Sequence, residues 1–365
     1  MIADRKDDHV RHAVNQRRAD TGANDFDEVT FVHHALAGID SQDVSLAVDI
    51  AGKQWDTPLY VNAMTGGSVN TGEINRKLAI AARETGLPIA TGSMSAYFRD
   101  PEVAGTYRVL REENPHGFVM ANVNATASLD QVRRAIDLLE ADALQIHLNT
   151  VQEVVMPEGD RSFGAWPRQI EHITAHVPVP VIVKEVGFGL SRQTVAWLRD
   201  AGVSVADVGG RGGTNFARIE NERRPAADFA FIESWGQSTP TCLLDCAGID
   251  GIDIAASGGI RSPLDIARAL ALGAAATGVA GAFLDTVVRQ DTDALVEQIR
   301  TWLDQLRQIL TVLGARTPAD LAGCDLLITG DVAAFCALRG IDAASLAHRS
   351  HWWRESKDRG GVIDE

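Results

Sequence analysis

Eight short apolar runs punctuate the chain, at 58–63, 88–90, 117–121, 143–146, 179–183, 203–208, 252–256 and 275–279, and each ends in small or polar residues. Segments with helical periodicity separate them, among them 73–85, 128–139, 191–201 and 263–272. In the second of these, Leu129, Val132, Ile136 and Leu139 recur at helical spacing, while Arg133, Arg134, Asp137 and Glu140 take the other side. The apolar runs are continuous rather than alternating, as in VPVIV (179–183) and IDIAA (252–256). Strands that read this way are buried on both faces, which predicts a parallel sheet covered by helices. Eight β–α repeats favour a closed (β/α)8 TIM barrel of the α/β class. The alternative, an open doubly wound sheet, lacks its GxGxxG turn: the first run leads into MTGGSVN.

The barrel is expected to span 58–314, preceded by a polar N-terminal extension (1–57) and followed by a C-terminal extension (315–365), with a long helical stretch over 286–313. No linker rich in Pro, Gly or Ser divides the chain. With 45% hydrophobic and 23% charged residues a sizeable core is available. A formal charge of −15 gives no global attraction for nucleic acid or an anionic membrane, so an anionic ligand must be held by local basic residues and backbone N–H groups. Cys242, Cys246, Cys324 and Cys336 form no CxxC pair and read as reduced, buried thiols. The start, MIADRKDDH, has no apolar leader region, and the expected location is cytoplasmic.

In such a barrel, chemistry lies where strands run out into βα loops. The first strand is followed by Met64 and Thr65, the second by Ser93 and Ser95, the third by Asn122, the fifth by Lys184, and the sixth by GGRGGTN (209–215). Gly258, Gly259, Ile260 and Arg261 follow the seventh and Ala280 and Gly281 the eighth, the fold's usual phosphate position. Glycines in tight turns are the plain alternative, but both loops carry the feature together. Lys184 ends a buried strand and must reach a partner or water; beside a flavin pyrimidine edge it would stabilise negative charge. With Thr65, Ser93 and Asn122 at neighbouring strand ends, the set describes an FMN site. The charged segment 216–224, with the loop on to 235, is a candidate lid. After the fourth strand comes HLNTVQE (147–153), in which His147, Asn149 and Gln152 suit anion binding or proton handling and Glu153 suits Mg²⁺. Glu158 and Asp160 are alternative carboxylates.

At these residues the chain resembles the FMN-dependent type II isopentenyl-diphosphate isomerases. The matching blocks are RKDDH (5–9), LYVNAMTGG (59–67), TGSMSA (91–96), LQIHLNTVQE (144–153), PEGDRSF (157–163), VIVKEVGFG (181–189), DVGGRGGTNFARIEN (207–221), ASGGIR (256–261) and GVAGAFL (278–284). The resemblance implies interconversion of isopentenyl and dimethylallyl diphosphate with Mg²⁺ and with FMN kept reduced by NADPH or another donor, in a homo-oligomer, tetramer or octamer. It places FMN against Ala63, Met64, Thr65, Ser93, Asn122, Lys184, Thr214, Gly258, Gly259, Ile260, Arg261, Ala280 and Gly281. It places the substrate diphosphate against Arg5, Lys6, His147, Asn149 and Gln152, with Ser95 and Arg99 nearby, and Mg²⁺ on Glu153. Gln152 and Lys184 are the expected catalytic residues, the first handling the proton. Two positions depart from the family pattern: Asn124 where a glycine is common, and Met94 where glutamine is frequent. The rivals are an FMN oxidoreductase of the 2-hydroxy-acid oxidase or IMP-dehydrogenase-like type, and a non-catalytic flavin-binding protein.

Overall fold

The computed structural model describes residues 2–19 and 24–350, the side chains of 2–5 and 18–19 excepted. The Arg5 side chain and the tail after 350 therefore lie outside the described residues. Eight parallel strands close into a barrel: Leu59–Val61, Ile89–Ala90, Val119–Asn124, Ala143–Leu148, Val181–Glu185, Val205–Asp207, Asp253–Ser257 and Ala276–Val279. Each pairs with its successor, and the eighth returns to the first with Thr277 opposite Leu59 and Val279 opposite Val61. All eight predicted runs are strands. The third and fourth extend past their apolar stretches to Asn124 and Leu148, because the polar residues there face the barrel mouth, where the backbone ladder continues.

The four predicted helices form at Val69–Thr85, Leu129–Leu139, Arg192–Asp200 and Pro263–Ala271. Each begins after a serine whose hydroxyl accepts a backbone N–H of the first turn: Ser68, Ser128, Ser191 and Ser262. The predicted stretch 286–313 is instead two helices, Gly281–Arg289 and Thr292–Leu313. The break falls at Asp291, whose extended backbone and side-chain bond to Ala294 N start the second helix. Three of the four thiols are buried and Cys324 is half-buried, all of them free. Burial pushes Cys246 up to about 12 and Cys324 to about 11. Among the described residues no helix is long and apolar enough to cross a membrane.

Strand periodicity sorts the barrel interior into layers. One residue from each strand (Tyr60, Ala90, Met120, Ala143, Ile182, Val205, Ala255 and Ala276) joins a small apolar cluster inside the barrel. Four of the eight are alanine, and the volume they leave is filled from below by a hairpin, Val48–Ile50 and Lys53–Trp55. Ile50 and Trp55 complete the cluster, Trp55 lying 5.9 Å from the Tyr60 ring and 5.3 Å from Phe118. The turn Ala51-Gly52 has φ of 53° and 68°, the left-handed pair that matches strand twist in a two-residue hairpin. Ala51 N donates to the Asp253 carboxylate at 2.7 Å, pinning the plug to the seventh strand.

The N-terminal extension thus serves both ends of the barrel. Residues 48–55 close the bottom, while the helix Ile2–Ala19 packs against Gly281–Arg289 and Phe216–Glu222 at the mouth. Between them Val29–Phe31 pairs antiparallel with Leu326–Ile328, which ties the C-terminal extension to the same structure. Removing the plug's aromatic side chain leaves a cavity at the barrel base. Trp55→Ala should destabilise the protein by about 3–5 kcal/mol, the usual range for a buried large aromatic, seen as a lower urea midpoint. A shift no larger than that of the exposed Leu36→Ala would show that the hairpin is not part of the core.

Candidate active site

Two adjoining cavities open at the C-terminal mouth of the barrel, of about 610 Å³ and about 430 Å³. Ala63, Met64, Lys184, Val186 and Phe216 line both and form the wall between them. The N-terminal helix lies along the pair: Lys6 and His9 reach the smaller chamber, and Ala13, Gln16 and Arg17 the larger. It is latched there by Gln16, whose Nε2 donates to Asn215 O at 3.1 Å and whose Oε1 accepts Asn215 N at 3.0 Å.

The larger chamber is walled by glycines. Gly258 and Gly259 hold φ of 88° and 81°, and a Cβ on Gly258 would stand 2.0 Å from the Gly210 carbonyl oxygen. Thr214, Ile260, Ala280 and Gly281 complete the turn-rich end. Arg261 borders it, but its guanidinium is taken by Asp27 (2.7 and 2.9 Å) and Asp265 (2.9 and 3.1 Å), and its backbone N–H by Asp265. Those carboxylates push Arg261 above its ordinary range, and the guanidinium in turn holds Asp27 at about 2. Arg261 therefore braces the loop, and the backbone around Gly258, Gly259 and Ile260 is what that end of the chamber offers an anion. Asn24 Nδ2 donates to Gly259 O at 2.8 Å, so the N-terminal extension braces it too. A long, glycine-lined trough with a loop of this kind at one end and a buried cation at the other fits FMN.

Beneath the dividing wall lies a polar layer of the barrel. Asp207, fully buried, accepts from Tyr60 OH (2.7 Å), Ser257 Oγ (2.7 Å) and Asn62 Nδ2 (3.3 Å). It faces Lys184 across the fifth and sixth strands, which pair at these two residues. Burial lowers the Lys184 ammonium, and Asp207 and Glu185 oppose that shift. Burial and Asp207 together raise the Tyr60 phenol far above its ordinary value. Lys184 Nζ donates to Glu185 O at 3.0 Å. The next carboxylate, Glu185, accepts the N–H groups of Gly187, Phe188 and Gly189 and is raised by burial to about 7.

The smaller chamber gathers Lys6, Ser93, Ser95, Arg99, Asn122, His147, Asn149, Gln152 and Glu153. Asn149 Nδ2 donates to both Gln152 Oε1 (3.2 Å) and Glu153 Oε1 (3.0 Å), linking the three on the short helix Thr150–Val155. Gln152 Nε2 donates to Glu220 Oε1 at 2.8 Å. Glu220 is itself buried, with His9 at 3.0 Å and Arg223 as further partners. Burial raises its pKa, but His9, Gln152 and Arg223 outweigh that and hold it at about 2. Of the alternative carboxylates, Glu158 is paired with Arg223 (2.7 Å), and Asp160 accepts the N–H groups of Arg161 and Ser162. Glu153 accepts Asp160 N at 2.8 Å and borders the cavity. Among the described residues no group of three His, Cys, Asp or Glu could hold a metal; a single carboxylate completed by substrate phosphate oxygens and water is the arrangement that suits Mg²⁺.

Not every predicted residue faces a chamber. Thr65 lines neither, since its buried hydroxyl bonds Asn75 on the helix Val69–Thr85. Asn122 borders the smaller chamber, but its amide is engaged by Gln145 and His147. Asn124 needs no glycine, for it sits in extended strand opposite His147. Met94 is fully buried. Segment 216–224 is largely a helix, Phe216–Glu222, capped by Asn215. Missed from sequence were His9, Glu220, Asp207 and Gln145. For Asp207 a signal existed, a carboxylate ending a buried strand; for Glu220, in a charged surface-like segment, none did.

A model of FMN-dependent dehydrogenases matches residues 108–326. The chain is 74% identical to an isopentenyl-diphosphate delta-isomerase of Nocardia farcinica over 98% of its own length and 99% of that protein. Enzymes of the same name from a Streptomyces species and from Listeria monocytogenes are 62% and 43% identical, over 95% and 94% of this chain and 96% and 97% of theirs. A solved mandelate oxidase superposes with a TM-score of 0.61 over 87% of this chain and 90% of that one, at 18% identity, a likeness of fold. The chain belongs to the FMN-dependent, type II family of isopentenyl-diphosphate delta-isomerases.

Proposed function

We propose that the protein interconverts isopentenyl and dimethylallyl diphosphate, with FMN in the larger chamber, the substrate in the smaller one, and Mg²⁺ on Glu153. The single observation that carries this is the shared wall. It sets Lys184 and Met64 between a glycine trough and a chamber whose cations and amides suit a diphosphate. Lys6, Arg99, His147 and Asn149 would hold the diphosphate, and neutralisation by Mg²⁺ at Glu153 would complete its charge. Arg5 belongs to the same reading through its place one residue before Lys6. FMN would lie along Ala63, Met64, Thr214, Gly258, Gly259, Ile260, Ala280 and Gly281, with Lys184 at the wall and Ser93 reaching it from the smaller chamber.

Shifting a double bond adds a proton at one alkene carbon and removes one from another, with no net change of oxidation state. When bound and reduced, by NADPH or another donor, FMN supplies an electron-rich, acid–base-competent face beside the alkene. The chain's part is to position and to exclude. Gln152 is fixed between Asn149 and Glu220, so its amide is oriented before substrate arrives. Glu220 stays a carboxylate at working pH and accepts from Gln152, which directs the Gln152 oxygen toward Asn149 and the chamber. Lys184, whose ammonium form Asp207 and Glu185 favour against burial, would stabilise negative charge at the wall. The oxidase reading needs a His–Arg pair around the Gly-rich sixth or seventh loop and the IMP-dehydrogenase-like one a Cys after the sixth strand, and residues 209–217 contain neither Cys nor His. The reading extends to a cytoplasmic homo-oligomer.

The direct test is to purify the protein, record its flavin absorbance, and assay isomerisation with FMN and Mg²⁺, with and without reductant. A colourless, inactive protein after FMN addition overturns the proposal. Gln152→Leu should lower turnover by roughly 10²–10⁴-fold, the usual contribution of a proton-handling group, with FMN affinity nearly unchanged; unaltered turnover would remove Gln152 from the mechanism. Glu153→Gln should raise the Mg²⁺ concentration needed for half-maximal rate, and an unchanged Mg²⁺ dependence would move the metal elsewhere. Glu220 also leaves a pH signature. Its pKa, depressed to about 2 from 4.5, gives stability that is complete above about 4.5 and lost as pH falls toward 2. Glu220→Gln should therefore flatten the acid limb of the urea midpoint, whereas an acid limb identical to wild type would contradict the buried pairing.

A further inference from the structure

One buried side chain beneath the smaller chamber has no part in the reading above. Gln145 lies on the fourth strand, two residues before His147 and on the same face, opposite Asn122 in the ladder. It is fully buried and lines neither chamber. Its Oε1 accepts Asn122 Nδ2 at 2.8 Å, and Asn122 Oδ1 meets His147 Nδ1 at 2.8 Å. Gln145 Nε2 has no partner among the described residues. Buried amide donors without an acceptor are rare, and this one ends a chain whose other end is a ligand of the substrate chamber.

The direction of that chain decides what His147 can do. With the Asn122 oxygen toward it, the imidazole carries its proton on Nδ1, and its other edge, Nε2, offers only a lone pair. A lone pair repels a phosphate oxygen. Amide oxygen and nitrogen are nearly isosteric, so both amides can turn end for end in the same positions. Gln145 Nε2 then donates to Asn122 Oδ1, Asn122 Nδ2 donates to His147 Nδ1, and the ring, still neutral, carries its proton on Nε2. The proton leaves Nδ1 and is regained at Nε2 by exchange with water, so charge is conserved. This arrangement gives the orphan donor a partner and turns an N–H bond toward the chamber. Protonating the ring is not an equivalent route, because burial first, then Lys184 and Lys6, holds His147 at about 3. Lys184 faces it from the fifth strand and Lys6 from the N-terminal helix; His9, Arg99, Glu153, Glu158 and Asp160 are the other charged or titratable groups of the chamber.

The geometry points to Gln145 as a positioning residue: acting through Asn122, it sets which nitrogen of His147 bears the proton, and it turns with Asn122 to make His147 a hydrogen-bond donor when a diphosphate enters. This rests on the diphosphate reading of the chamber. The test titrates FMN-loaded, full-length protein with inorganic pyrophosphate and Mg²⁺ between about pH 6 and pH 8, with nitrogen NMR of ¹⁵N-histidine protein as the second readout. A carboxylate at 145 can only accept, so Gln145→Glu locks Asn122 with its oxygen on His147. Pyrophosphate should then bind about tenfold more weakly than to wild type, at a ratio that stays constant from about pH 8 to about pH 6 because the ring is neutral throughout, with flavin absorbance retained. Pyrophosphate's own ionisation cancels in that ratio. The uncharged Gln145→Met leaves Asn122 undirected and should weaken binding a few-fold, at a ratio independent of pH. In the NMR spectrum, wild type with pyrophosphate should show His147 protonated on Nε2 and Gln145→Glu on Nδ1, a difference that simple charge repulsion would not produce. Wild-type affinity in Gln145→Glu, a ratio that closes as pH falls, or an Nδ1-protonated His147 in the wild-type complex overturns the relay alone. A wild type that binds no pyrophosphate overturns the chamber's reading and the relay with it. If Gln145→Glu fails to retain flavin, Gln145→Met and the wild-type spectrum decide.

Discussion

A buried lysine and a buried aspartate, Lys184 and Asp207, occupy paired positions of the fifth and sixth strands at the centre of the barrel mouth, and Asp207 opposes the loss of the Lys184 charge that burial favours. Burying either alone would cost several kcal/mol or force it to neutralise. The rest of the mouth is organised around their satisfaction. Tyr60, Asn62 and Ser257 spend their donors on Asp207, so the first and seventh strands are drawn into one polar layer. That layer sits directly on an apolar one of small residues, closed below by Ile50 and Trp55. Water is kept from beneath, and among the described residues two chambers open on the opposite side.

Above this floor the N-terminal helix makes the site continuous. Lys6 and His9 serve the smaller chamber, and Gln16 latches the helix beside the larger. His9 meets Glu220, the carboxylate that also orients Gln152. A group at the start of the chain thus acts on the same carboxylate as a residue of the fourth βα loop. The two chambers share one structural element, so neither is built from the barrel alone.

Much of the barrel is legible in sequence because its causes are local. Continuous apolar runs, serine caps and glycine turns each act within a few residues, and they locate all eight strands and four of the helices. The HLNTVQE cluster is legible for a related reason: a strand end in this fold has one place to point. The plug was not read, since VDIAGKQW carries hydrophobic residues too sparsely to announce a core element. Its apolar partners are single residues, half of them alanine, from each of the eight distant strands.

The sequence by itself determined the order of strands and helices, the loops that bear chemistry, and, by resemblance, the family. Only the tertiary structure decided how those side chains divide their hydrogen bonds. It turned Arg261 outward to Asp27 and Asp265, spent the Thr65 hydroxyl on Asn75, and brought Glu220 from a charged helix into contact with Gln152. It also placed Gln145 under Asn122 and His147. The reason is physical. Periodicity and capping depend on neighbours in the chain, whereas the partner of a buried polar atom is whichever group the closed barrel carries to within hydrogen-bond reach.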